Sequence, residues 1–257
     1  MTDQQLIFEQ PLNERIRTFL RLEHLFRQFN QHLEHDSGWD TQSSVKGILD
    51  LMSLISRGDI KRETMKELER QNANLQAFVE IPGVNHDRLT HLISEQKDCL
   101  QSLHSISGNI GHELLQNELL NAIRQRLNMP GGLCEFDLPV YSHWLNQPYK
   151  KRREILQHWF APFITLNRAI DLILQVIRDS SDATDEIAEG SFYQRNLDAS
   201  QTCLMIRVIL PHDSTAFPEV SAGKHRFTVR FLQATDLAQR PEQSKADYRF
   251  KLACCIL

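Results

Sequence analysis

The hydrophobic period of this chain changes once along its length. Up to about Ile177 apolar residues recur every three to four positions, and beyond the polar segment "DSSDATDEIAEGS" (residues 179–191) they recur every two. The first period is that of one face of a helix and the second that of one face of a strand. The chain is therefore expected to fold as α+β, with an N-terminal domain of antiparallel helices followed by a small antiparallel β-sheet domain. Its 257 residues, 41% of them apolar and 24% charged, suffice for one large core or two smaller ones.

In the helical part, Asn13 is a candidate cap, and "NERIRTFLRLEHLFRQF" then sets Ile16, Phe19, Leu20, Phe26 and Phe29 on one face. Further stripes follow: Val45, Ile48, Leu49, Met52 and Ile55; Met65, Leu68 and Leu75; Leu89, Leu92, Ile93, Leu100 and Leu103; Leu115, Leu119, Ile123 and Leu127. Arg57-Gly58-Asp59, Pro82-Gly83, Gly108 and Pro130-Gly131-Gly132 separate them. An extended "LCEFDLP" precedes a last helical stretch, about Tyr149 to Ile177, interrupted at Pro162.

In the second part, Leu204, Ile206 and Val208 alternate with Met205, Arg207 and Ile209. Tyr248, Phe250, Leu252 and Cys254 alternate in the same way with Arg249, Lys251 and Cys255. Turns are expected around Pro211, Pro218, Gly223 and Pro241. A sheet with one apolar face must rest on something, most simply the helices. The organisation expected is residues 1–11 as a strand able to join the sheet, 12–180 as the helical domain, 181–191 as a linker and 192–257 as the β domain.

Few chemical constellations survive inspection. The five cysteines are odd in number and scattered, which reads as buried thiols rather than a disulfide framework. Cys254 and Cys255 are adjacent, and alternation along a strand sends them to opposite faces, so they are not a redox pair. "HELLQ" at His112 has no second histidine one turn on, which leaves a metal without a ligand pair. His143 and His158 lie beside Trp144 and Trp159, where packing accounts for them, and no nucleophile accompanies either as a hydrolase would require. "KKRRE" at 150–154 reads as a solvated helix start. No cofactor, metal or catalytic residue is expected. With no secretory pattern at the N-terminus and no run of about 18 apolar residues, the chain is expected in the cytoplasm, off the membrane.

One stretch stands apart. In "KHRFTVRF" (residues 224–231) Phe227, Val229 and Phe231 take one face of a strand while Lys224, Arg226, Thr228 and Arg230 take the other. Three cations would then form a row about 20 Å long. Such a row occurs on solvated outer faces and on edge strands, where it discourages aggregation. Strands that bind nucleic acid present aromatics beside their cations, whereas Phe227 and Phe231 face inward here. Guanidinium groups without stacking partners suit pairs of carboxylates, so the row is expected to clamp an acidic peptide. The charge distribution agrees: residues 192–257 carry nine Lys/Arg against six Asp/Glu, in a chain whose net charge is −4. That acidic remainder also counts against the alternative, a nucleic-acid-binding adaptor using the same cations on phosphates. Arg17 and Arg21 share a face of the first helix, Arg57 ends the second, and Arg124 and Arg126 precede the Pro-Gly-Gly break.

Together, "LIFEQPLNERIRTFLRLEHL", "RQRLNMPGGLCEFDLP", "GKHRFTVRF" and "LACC" resemble the ZapD family of bacterial division proteins, over nearly the whole chain. The resemblance implies a non-enzymatic cytoplasmic homodimer, joined through its helical domains, that binds the C-terminal tails of the tubulin-like FtsZ in basic clefts. It also implies cross-linking of FtsZ filaments and stabilisation of the Z-ring at mid-cell. The family's basic positions match Arg226 and Arg230 inside "HRFTVRF", then Arg57 in "SRGDI" and Arg21 in "RTFLRLEHL". Lys224, Arg17 and Arg124 complete the expected FtsZ-binding set.

Overall fold

A computed structural model describes residues 5–79, 81, 85–198, 202–223 and 225–256. The chain divides into two compact units: a helical one from Phe19 to Ile173, and a second formed by its two ends, up to Thr18 and from Leu174 onward. The order is strand β1 (Gln5–Pro11), helices α1 (Glu14–Leu33), α2 (Gly38–Ser56), α3 (Ile60–Ala77), α4 (His86–Ser105), α5 (Glu118–Arg126), α6 (Pro139–Leu145), α7 (Tyr149–Phe160) and α8 (Ile164–Asp179), then strands β2 (Thr184–Ala188), β3 (Phe192–Asn196), β4 (Cys203–Pro211), β5 (Ala216–Ala222), β6 (Arg226–Gln233), β7 (Glu242–Gln243) and β8 (Tyr248–Ile256). Helices followed by antiparallel sheets give the α+β class read from the sequence.

Side-chain caps start many of the helices. Asn13 accepts from Ile16 N at 2.9 Å at the head of α1, Asp59 accepts from Arg62 N at 3.1 Å at α3, and Asn117 accepts from Leu120 N at 2.9 Å at α5. Arg57-Gly58-Asp59 is thus the turn between α2 and α3. Every member of the expected α2 stripe, Val45, Ile48, Leu49, Met52 and Ile55, is buried. Pro162 interrupts the last stretch as expected, in a 3-10 turn over Ala161–Phe163 between α7 and α8. By length and composition the span Tyr149–Asp179 could cross a membrane, but 56% of its apolar window is buried within the protein.

Several helical expectations are corrected. On α3 the buried stripe is Ile60, Thr64, Glu67, Leu68 and Gln71, with Met65 and Leu75 only half-buried. Amide pairing makes this polar stripe tolerable: Gln96 donates to Gln71 at 2.9 Å, and Gln71 donates to the Ile173 carbonyl at 3.2 Å. His112–Gln116 form a separate 3-10 turn, and the cap at Asn117 resets the phase, so Leu114, Leu120 and Ile123 are buried while Leu115 is 39% exposed. "LCEFDLP" is not extended but a run of turns, with Cys134 N donating to Gly131 O at 3.0 Å and Leu138 N to Cys134 O at 2.9 Å. Within "KKRRE", Arg152 is buried rather than solvated; it bonds Asp36, Thr41, Ser37 O and Gln147 O. His143 and His158 are exposed, while the neighbouring Trp144 and Trp159 pack at 5.4 Å.

The second unit holds two antiparallel sheets, one ordered β1-β4-β8-β2 and the other β3-β6-β5 with β7 alongside β6. The expected N-terminal strand does join: β1 pairs with β4, Phe8 opposite Val208 and Glu9 opposite Arg207. The apolar faces of the sheets bury one another, and the other face of the larger sheet is buried as well at Met205, Ala253 and Cys255. Ile206, Val208, Phe250 and Leu252 of the first share a core with Phe227, Val229 and Phe231 of the second, and the Phe231 and Phe250 rings lie 5.1 Å apart. Two further expectations change. Within 181–191, residues Thr184–Ala188 form β2, an edge strand on β8. Pro218 lies inside β5 rather than in a turn, on an edge strand where the missing N–H costs no central ladder bond.

Candidate functional site

The outer face of the smaller sheet is built around β6. A two-residue turn, Gly190 at φ 54° and Ser191 at φ 65°, passes the chain from β2 in one sheet to β3 in the other. Both residues need the left-handed region, which suits a hairpin twist. Ser191 is fully buried and its hydroxyl donates to Ala246 O at 3.0 Å, while its carbonyl accepts from Phe231 N at 3.0 Å. This anchor fixes the register of β3 on β6.

That register decides which side chains share the outer face. Phe192, Gln194 and Asn196 of β3 stand opposite Arg230, Thr228 and Arg226, and on the other flank Glu219 and Ser221 of β5 stand opposite Arg230 and Thr228. Directly opposed residues of an antiparallel pair lie on one face. Arg226 and Arg230 are exposed, while Phe227, Val229 and Phe231 are wholly buried, so the alternation expected of this strand is observed. Lys224 lies outside the described residues.

Two features bear on what the face can hold. First, β6 is the central strand of its sheet, so its cations do not guard an edge, and an incoming peptide cannot add to it as a further strand. A ligand must meet its side chains. Second, among the described residues neither Arg226 nor Arg230 has an ion-pair partner. The two guanidiniums are anchored about 13 Å apart, four residues along a strand.

Sequence reasoning missed two members of this face. Phe192 is 43% exposed beside Arg230, so the face does offer an aromatic surface next to a cation. Glu219 places a carboxylate on the opposite flank of the same arginine. No one-strand pattern reveals either residue, because the pairing of three strands brings them there.

The remaining expected cations are carried on other elements. Arg17 is ion-paired to Glu14 at 3.2 Å within α1, and Arg21 is exposed one turn further on. Arg57 is the exposed C-cap of α2, and Arg124 is exposed in the last turn of α5. Arg21, Arg57 and Arg124 belong to the helical unit; Arg17, Arg226 and Arg230 belong to the β unit. Among the described residues no group of three or more His, Cys, Asp or Glu side chains is placed to hold a metal ion.

Residues 20–230, from α1 to the second arginine of β6, match the ZapD family, described as a cell division protein. The chain belongs to the ZapD family. It is 38% identical over 254 residues to the cell division protein ZapD of Methylococcus capsulatus, covering 98% of this chain and 99% of that protein. It is 35% identical over 251 residues to the cell division protein ZapD of Coxiella burnetii, covering 97% of each. A role in cell division therefore accompanies the fold. Within the ZapD match lie Arg21, Arg57, Arg124, Arg226 and Arg230, whereas Arg17 precedes it.

Proposed function

We propose that this ZapD-family chain is a non-enzymatic cytoplasmic division factor that captures the acidic C-terminal tail of FtsZ on the outer face of β6. As a homodimer it cross-links FtsZ filaments and stabilises the Z-ring at mid-cell. The observation that carries this reading is the pair of exposed arginines, Arg226 and Arg230, without acidic partners among the described residues and flanked by the exposed ring of Phe192.

The physics sets the form of the interaction. Surface ion pairs contribute only about 0–1 kcal/mol each, so two arginines alone hold a tail weakly, and Phe192 supplies the apolar contact that ion pairs lack. Affinity per tail is modest. A dimer carries two such faces related by a twofold axis, and a filament presents many tails in a row, which raises the effective concentration seen by the second face. A single copy would decorate filaments, whereas the dimer bridges them.

The test is co-sedimentation with FtsZ polymers. Arg226→Glu with Arg230→Glu, verified as folded by its melting temperature, loses co-sedimentation and bundling; undiminished pelleting removes these residues from the mechanism. FtsZ lacking its C-terminal tail escapes the unaltered protein. The same assay applied singly to Lys224, Arg17, Arg21, Arg57 and Arg124 ranks their contributions.

Phe192 also suits the second reading, a nucleic-acid adaptor, since a base could stack beside Arg230. Glu219 on the same face repels phosphate and carboxylate alike, so what counts against this reading is the chain's net charge of −4. Tight, steeply salt-dependent retention of mixed DNA and RNA in a gel-shift titration would favour that reading over the peptide clamp.

A further inference from the structure

Regular alternation would place Cys203 on the same face of β4 as Met205, away from Cys254. Instead the ladder between β4 and β8 is bulged between Cys203 and Met205: Met205 pairs with Cys255 and Ile206 with Cys254, but Cys203 pairs with Ile256. The extra residue swings Cys203 to the face that Ile256 and Cys254 share. Diagonal neighbours on a regular ladder stand about 7–8 Å apart, too far for a bond between sulfurs. Here the bulge departs from that ladder: the two sulfurs line one cavity and act on one another, while the Cys203 thiol donates to the Met205 carbonyl at 3.6 Å.

Both sulfurs are accessible. Cys203 and Cys254 are half-buried and line an open cavity of about 270 Å3, together with Arg195, Asn196 and Asp182. By contrast Cys255 faces the other side of the sheet and is buried, as is Cys99 in the helical unit. The neighbouring Cys203 draws the Cys254 thiol down to about 7; burial opposes this shift, and the charge of Arg195 adds to it. The neighbouring Cys254, together with burial, pushes Cys203 up, and burial pushes Cys255 up to about 11. A thiolate reacts where a thiol does not.

We propose that Cys203 and Cys254 are an oxidation site, a cross-strand dithiol that a peroxide-class oxidant converts to a disulfide between β4 and β8. The Cys254 thiolate attacks one peroxide oxygen. The S–O bond forms as the O–O bond breaks, and the departing hydroxide takes a proton to become water. The Cys203 sulfur then displaces the new hydroxyl from Cys254: the S–S bond forms, the S–O bond breaks, and the Cys203 proton leaves with that hydroxyl as a second water. The two thiols give up two electrons and the peroxide receives them. This inference is independent of the FtsZ reading.

The test uses the full-length, fully reduced protein. It is treated briefly with equimolar hydrogen peroxide, its remaining thiols are blocked with iodoacetamide in denaturant, and tryptic peptides are mapped without reduction. The expected product joins the peptide holding Cys203 to the C-terminal peptide, is cleaved by dithiothreitol, and forms about tenfold faster than oxidation at Cys99, Cys134 or Cys255. Cys255→Ser retains the link and Cys254→Ser abolishes it. Absence of a joined peptide, a link through Cys255, or uniform oxidation of all five thiols would overturn the assignment. Because the C-terminal tryptic peptide after Lys251 holds both Cys254 and Cys255, fragmentation between the two, showing which one carries the link and which the carbamidomethyl group, decides this in the unaltered protein even where a variant folds poorly.

Discussion

Arg230 on β6 stands directly opposite Phe192 on β3, an exposed guanidinium beside a ring that is 43% exposed. A charged group alone would hold a carboxylate weakly in water. A ring at its flank gives a bound peptide something apolar to cover as it pairs, and the two contacts strengthen one another by excluding solvent.

If this pairing is the centre of tail capture, Phe192→Ala weakens binding without unfolding the chain. The expected loss is about five- to tenfold in affinity for a labelled FtsZ tail peptide, roughly 1 kcal/mol, measured by fluorescence anisotropy. The melting temperature should barely move, because the ring is already substantially exposed. A variant that binds as the parent does would confine recognition to the arginines.

Glu219 occupies the opposite flank of Arg230, where its carboxylate competes with those of an acidic ligand. Glu219→Gln is expected to tighten the same peptide about two- to threefold at low salt. The gain should fade as ionic strength rises past 0.1 M, where the Debye length is about 10 Å. Phosphate-bearing ligands would gain in the same direction, so the peptide and an oligonucleotide should be titrated side by side.

The alternation of "HRFTVRF" was legible because a strand with one buried face leaves a period of 2 in its own residues, and the α2 stripe was legible for the corresponding helical reason. What could not be seen depended on pairing between segments. Phe192 and Glu219 join the arginines through the register of three strands, which no single strand encodes. Thr64, Glu67 and Gln71 line a buried helix face because Gln96 and the Ile173 carbonyl satisfy Gln71, and hydropathy counts such residues as outward. The acidic run that became β2 reads as a linker because an edge strand buries little: Ile187 within it is 52% exposed. Cys203 meets Cys254 through a bulge, which reverses the face that simple alternation assigns.

Glu9 forms a half-buried ion cluster with Arg178 and Arg207 in the β unit, at 2.7 Å and 3.1 Å. Burial pushes the Glu9 carboxyl up, but the bonds and charges of the two arginines more than offset it and hold it below its ordinary value of 4.5. A carboxyl depressed in the folded state stabilises that state above its unfolded pKa, and the contribution is lost as pH falls through the folded value. Denaturant melts should therefore show stability falling on acidification below about pH 4.5, a slope that Glu9→Gln flattens. At neutral pH the same variant should cost about 2 kcal/mol, since it leaves two partly buried guanidiniums with an unmatched charge.

Arg152 tests whether the "KKRRE" segment is a cationic surface or a structural anchor. Its side chain is buried and donates to Asp36 Oδ1 at 2.8 Å, the Asp36 carbonyl at 2.7 Å and the Gln147 carbonyl at 3.0 Å, tying the loop before α2 to α7. A lysine offers one donor group on a narrower stem and cannot satisfy this fan of acceptors. Arg152→Lys is expected to cost about 2–3 kcal/mol through acceptors left unpaired, read as a fall in the denaturant midpoint. Lys150 and Lys151, exposed on the same turn, should tolerate glutamine within about 0.5 kcal/mol. Equal effects at all three positions would mean that the segment acts through its charge, and that the bonds of Arg152 add little to the stability of the helical unit.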